Sequence, residues 1–156
     1  MLKEILTYEQ CKNCKGCCRF DENDVWIYPK VSKKMSEKIK EKYGISMQKL
    51  GENTYGFEKI KDKNGLYVCP ALSEHGCILG DDRPVSCSYY PIVLVKENGK
   101  IKIALDPFCK EFDGKIETIK EYVKNDLAKK LFSYAKEFPD DVFPPFDNMI
   151  VLFEEE

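Results

Sequence analysis

The stretch Ile92-Val93-Leu94-Val95-Lys96-Glu97-Asn98-Gly99-Lys100-Ile101-Lys102-Ile103-Ala104-Leu105 decides the fold class. Two β-prone runs flank Glu97-Asn98-Gly99, and Asn-Gly supplies the positive φ angles that a tight turn between twisted strands requires. The spacing predicts a β-hairpin. A second hairpin is expected upstream, where Tyr55 to Ile60 and Leu66 to Cys69 flank Lys61-Asp62-Lys63-Asn64-Gly65.

Helices are expected on both sides of these hairpins. From Lys30 to Tyr43, Val31, Met35, Ile39 and Tyr43 recur at a helical interval, and Gly44 is placed as the stop. Lys33, Lys34, Lys38, Lys40 and Lys42 share this helix with Glu37 and Glu41, so they read as a solvated face rather than a binding patch. Near 114–138 a longer helix is expected, with Asp113 as its N-cap and Pro139 ending it. Its apolar stripe runs Ile116, Ile119, Val123, Leu127, Leu131, Tyr134, Phe138. Val25-Trp26-Ile27-Tyr28, closed by Pro29, and Met149 to Phe153 read as short strands, and residues 45–54 as irregular or weakly helical. The expectation is an α+β fold over 1–156, a small single domain in which two β-hairpins, the helix near 30–43 and the long C-terminal helix surround a cysteine-rich metal site.

Composition limits the function classes. The 156 residues are 43% apolar and 33% charged with a net charge of −2, values of an ordinary globular chain of one-domain size. Lysine outnumbers arginine by 23 to 2. That bias points to a thermophilic source and away from nucleic acid, whose binders place arginine forks on bases and phosphates. No early run has the shape of a signal peptide, and none approaches the roughly 18 apolar residues of a membrane span. A cytoplasmic location is therefore expected, with no membrane association. In that reducing compartment the eight cysteines read as metal or redox ligands rather than as a disulfide framework.

Cys11-x-x-Cys14-x-x-Cys17 has the spacing by which one loop delivers several thiolates to a single centre, as in ferredoxin loops. Cys18 follows directly. Neighbouring side chains in extended backbone point to opposite sides, so Cys17 and Cys18 are expected to reach different metal atoms or different sites. Cys69, Cys77, Cys87 and Cys109 show no second close pair, which argues against a two-knuckle zinc ribbon. Two arrangements remain. In one, Cys11, Cys14 and Cys17 with one distant cysteine hold a four-iron, 4Fe-4S cluster, leaving Cys18 and the others to a second site or a structural role. In the other, all eight thiolates form two four-cysteine zinc sites. Both require residues 11–18 and 69–109 to meet, closing a loop of about fifty residues whose entropic cost grows only slowly with length.

These motifs resemble the CxxCxxCC proteins, the YkgJ-type family described as a zinc- or iron-chelating domain. The resemblance rests on Cys11-x-x-Cys14-Lys15-Gly16-Cys17-Cys18-Arg19, on Cys69-Pro70-Ala71-Leu72, and on Cys77 through Arg83-Pro84-x-x-Cys87-x-x-Tyr90-Pro91, with Cys109 completing the eight cysteines. The chain departs from the family at Leu79-Gly80, where Ile-Tyr is frequent, and at Ser88, where an arginine often stands. The resemblance implies metal chelation. Flagellin lysine N-methylases carry a similar cysteine pattern in longer chains, which adds a metal-dependent modifying enzyme to the alternatives without supplying a catalytic residue.

Other chemistry-bearing residues are few. His75, the single histidine, precedes Gly76 in a turn and reads as exposed rather than catalytic. Asp81-Asp82-Arg83 reads as a structural arginine–carboxylate clamp, and Tyr89, Tyr90, Trp26 and Tyr28 as an apolar shell around the metal. Lys12, Lys15 and Arg19 are placed to offset thiolate charge. The sequence thus favours an iron–sulfur protein with a redox or electron-transfer role and a protein partner, with a structural zinc module as the alternative. An iron–sulfur oxidoreductase is the enzyme class left open, without an identified catalytic residue.

Overall fold

The computed structural model describes residues 18–20 and 29–156. The expected strand at 25–28, and Cys11, Cys14 and Cys17, lie outside the described residues. The described part falls into two compact units, the first ending at Ser88 and the second running Tyr89–Glu156. The described residues form an α+β fold: small antiparallel sheets, an amphipathic helix in the first unit and a long C-terminal helix in the second.

The first unit contains three very small sheets. In chain order its elements are β1 (Arg19–Phe20), β2 (Lys30–Val31), α1 (Lys33–Tyr43), β3 (Met47–Lys49), β4 (Tyr55–Phe57), β5 (Ile60–Lys61), β6 (Tyr67–Val68), β7 (Leu72–Ser73) and β8 (Gly76–Cys77). The sheets have the orders β1-β6-β5, β2-β4-β3 and β7-β8, antiparallel throughout. Ser32 caps α1, its hydroxyl accepting from the Met35 amide at 3.3 Å. Gly44 closes the helix at φ 70°, its N–H donating to Lys40 O. The helix therefore starts later than the apolar spacing suggested, because Lys30 and Val31 are drawn into β2 by pairing with β4.

The upstream hairpin is also redistributed. Ile60–Lys61 pairs with Tyr67–Val68 around a turn in which Asp62 Oδ1 accepts from Asn64 N at 2.8 Å and Leu66 N at 3.1 Å. Tyr55–Phe57 instead forms the centre of a different sheet. Its partner Met47–Lys49 lies in the segment expected to be irregular or helical and is a strand. The short β7–β8 hairpin, turning at Glu74-His75, is an addition to the two expected.

α2 (Val85–Tyr89) connects the units in sequence. The second unit comprises β9 (Ile92–Glu97), β10 (Lys100–Leu105), α3 (Ile116–Tyr122), α4 (Ala128–Glu137) and β11 (Ile150–Glu154). The Asn-Gly hairpin forms as its chemistry dictates: Glu97 pairs with Lys100 and Ile92 with Leu105, while Asn98 and Gly99 take φ values of 52° and 80°. β11 pairs with the other edge of β10, giving the order β11-β10-β9. Phe143 adds a parallel bridge on the free side of β9, its N–H donating to Leu94 O and its carbonyl accepting from Lys96 N, each at 2.9 Å.

α3 and α4 are joined by a π-helical turn at Val123–Leu127, making one continuous helix over 116–137. Its buried residues Ile119, Val123, Leu127, Leu131 and Ala135 recur at four-residue steps. Such steps overshoot a 3.6-residue turn, and the wider π turn keeps the stripe facing inward. α4 packs on β10 and α3 on β11. Asp113 is not the N-cap: Lys115 takes that place without a side-chain cap, because Gly114 at φ 78° first turns the chain out of the 3-10 segment Lys110–Phe112.

A cysteine-lined core as the candidate metal centre

β1 begins immediately after Cys18, and β6 ends immediately before Cys69. The register pairs Arg19 with Val68 and Phe20 with Tyr67. Just beyond these paired residues, the Cys69 amide donates to the Cys18 carbonyl at 3.0 Å. The end of the N-terminal cysteine run is thus joined to the first of the distant cysteines by backbone pairing.

Both cysteines belong to one packing environment. Cys69 is buried with Ile39, Phe57, Ala71 and Leu79, while Cys18 and Cys77 pack half-buried against that cluster. Cys77 is placed by β8, where it pairs with Leu72, and by the Ile78 amide donating to Ala71 O at 2.9 Å just beyond it. Three of the candidate ligands, supplied by three separate segments, therefore border a single apolar cluster.

Cys87 sits half-buried on α2. Cys109, also half-buried, lies in the second unit after β10, in a turn organised by Asp106. There Asp106 N donates to Pro91 O at 2.8 Å, its Oδ1 accepts from Phe108 N at 2.9 Å, and its Oδ2 accepts from Tyr90 Oη at 3.2 Å. The motif residues Tyr90 and Pro91 thus shape the backbone just ahead of Cys109. Among the described residues no group of three or more His, Cys, Asp or Glu side chains is arranged to hold a metal ion. Cys18, Cys69 and Cys77 nevertheless fit the donor chemistry of zinc or iron–sulfur centres, which take soft thiolates in partly shielded surroundings.

The acidic segment behaves differently from its sequence reading. Asp82 is held not by an arginine clamp but by α1: Lys38 Nζ reaches Oδ1 at 2.5 Å, Lys42 Nζ reaches Oδ2 at 2.7 Å, and Tyr43 Oη lies 2.8 Å from Oδ2. Lys38, then Lys42, then Tyr43 hold the Asp82 carboxyl far below the usual carboxylate range, and the Asp82 hydrogen bond raises Lys42 above its ordinary value. The Arg83 Nε–H donates to Gly80 O at 3.0 Å. Two lysines read as solvated are therefore ion-pair donors. The available signal was their i, i+4 spacing, which sets two ammonium groups on one side of a helix to fork a carboxylate.

His75 is exposed in the β7–β8 turn, its amide donating to Ser73 Oγ at 3.2 Å. Tyr89 is buried, with Lys130 Nζ 5.5 Å from its ring centroid, and the Tyr89 hydroxyl raises the Lys130 pKa. Trp26 and Tyr28 lie outside the described residues. No helix among the described residues is long and apolar enough to cross a membrane. Comparison with family models, with curated proteins and with solved structures gives no match to this chain.

Proposed function

We propose that this chain is a metal-binding protein that holds an iron–sulfur cluster through its clustered cysteines and exchanges electrons with a protein partner. The observation that supports the reading is the backbone hydrogen bond from Cys69 to Cys18 beside the cluster that Cys77 also borders. It sets the last cysteine of the N-terminal run beside the first of the distant ones. A bound iron–sulfur cluster supplies one-electron redox chemistry. The chain's own groups do the rest: thiolates of Cys11, Cys14, Cys17 and Cys18 bind together with later cysteines from the set Cys69, Cys77, Cys87 and Cys109. Ile39, Phe57 and Leu79 shield one side from water, and Arg19, exposed on β1, offsets thiolate charge. The reading sets the protein in a reducing cytoplasm, where thiols remain available as ligands.

Anaerobic purification followed by iron, zinc and acid-labile sulfide analysis tests the proposal. Stoichiometric iron and sulfide in a coloured protein are expected. A colourless protein with stoichiometric zinc and no sulfide overturns the iron–sulfur reading in favour of a structural zinc module. Single variants then distribute the ligands: Cys14→Ser and Cys69→Ser are expected to abolish metal, and retention of full metal by both removes the metal reading.

A further inference from the structure

Between Cys77 and Cys87 the chain makes a loop whose midpoint, Asp82, is buried although it carries a charge. Within the loop, Asp82 N donates to Leu79 O at 2.9 Å and Arg83 Nε to Gly80 O at 3.0 Å. These bonds shape the loop locally. Its tie to α1 is the fork at Asp82, where Lys38 and Lys42, one helical turn apart, take one carboxylate oxygen each. Tyr43 Oη lies 2.8 Å from Asp82 Oδ2 and 3.0 Å from the Leu79 carbonyl, so its single proton can be donated to, or shared between, two points of the loop. Leu79 is itself buried in the cluster that contains Cys69.

Charge-assisted bonds to both oxygens fix the orientation of a carboxylate as well as its position. A grip at the midpoint of a short loop limits where both of its ends can go. We propose that Asp82, held by Lys38, Lys42 and Tyr43, is a positioning residue that sets Cys77 and Cys87 for ligation, an inference that rests on the metal reading above. The α1 face that reads as solvated lysine is, on this account, the scaffold of the cysteine loop. Neither lysine touches the ligand; both act through Asp82.

The test uses the full chain and two readouts. In the first, the reduced protein as purified is treated with iodoacetamide and alkylation of each cysteine is followed by mass spectrometry. In the second, the metal-loaded protein is challenged with a chelator and release is timed. Lys42→Met, at a half-exposed site and so tolerant of substitution, and Asp82→Asn are both expected to raise alkylation of Cys77 and Cys87 about tenfold. Cys109, in the other unit, is expected to keep its wild-type rate, metal release to quicken in parallel, and Lys42→Arg to restore both readouts. Wild-type alkylation of Cys77 and Cys87 in Lys42→Met overturns the proposal, and so does an equal rise at Cys109, which marks general loosening. A wild-type protein that carries no metal overturns the metal reading alone, because the alkylation arm still decides the positioning role. If Asp82→Asn fails to fold, Lys42→Met gives the decision.

Discussion

Asp82 shows how far a single residue can escape a linear reading. Its neighbour Arg83 invited a local clamp, yet its partners lie on a helix that precedes it by half the unit, and nothing in the spacing of residues 81–83 encodes that distance. The pairing has a signed pH consequence. A carboxyl whose folded pKa is depressed contributes stability that is fully present above the unfolded value, about 4, and is lost as pH falls toward the folded one. The urea midpoint of the wild-type chain is therefore expected to fall between about pH 4 and pH 2, and the difference between wild type and Asp82→Asn to shrink over the same interval. A difference that stays constant with pH contradicts the assignment. At Gly99 the sequence was sufficient, because Asn-Gly carries its own conformational instruction. With φ at 80°, Gly99→Ala is expected to cost about 1 kcal/mol in denaturant unfolding.

Elements were legible wherever the signal was local. The β9–β10 hairpin, the strand near the C-terminus and the long helix follow from turn chemistry and periodicity within each segment. The misplacements share a cause: sheet pairing between distant segments. Val31 satisfies the helical spacing of α1 and is nonetheless taken by β4, while Tyr55–Phe57 leaves its expected hairpin for a sheet centre. No periodicity rule sees such competition, since the gain comes from a partner elsewhere in the chain. The helical stripe permits a sharper test. Leu131 is buried within α4 beside β10, so Leu131→Ala is expected to destabilise by about 3 kcal/mol through lost transfer energy and a residual cavity, measured as a shift in urea midpoint at unchanged slope.

At the scale of the whole molecule the two units differ in how they are held together. The second has a continuous sheet and helix with a broad apolar core, including Ile92, Leu94, Val95, Ile103, Val123 and Leu131. Among its described residues the first relies on strands of two or three residues and on a small apolar cluster that includes Cys69. Apolar burial among its described residues is small, and on the metal reading a metal crosslink supplies the further constraint. Chelation is accordingly expected to raise amide hydrogen exchange strongly in residues 30–80 and weakly in β9 and β10, read by mass spectrometry of peptides; equal protection in both states contradicts it. The cysteine positions themselves were legible from sequence. The sequence also called for residues 11–18 to meet 69–109; that Cys69 is the cysteine beside Cys18 was not legible, because it depends on β1 meeting β6 across the length of the unit.

That meeting also orders events in the making of the protein. Cys18 leaves the ribosome long before Cys69, and β1, which follows it, pairs with β6 only once Tyr67 and Val68 emerge. On the metal reading, the pair is completed only after most of the first unit has been synthesised, which sets loading late in translation or after it. A nascent chain arrested before Cys69 is expected to hold less metal than the released protein, and the thiols at its start are the ones that a cell must keep reduced while the rest is made.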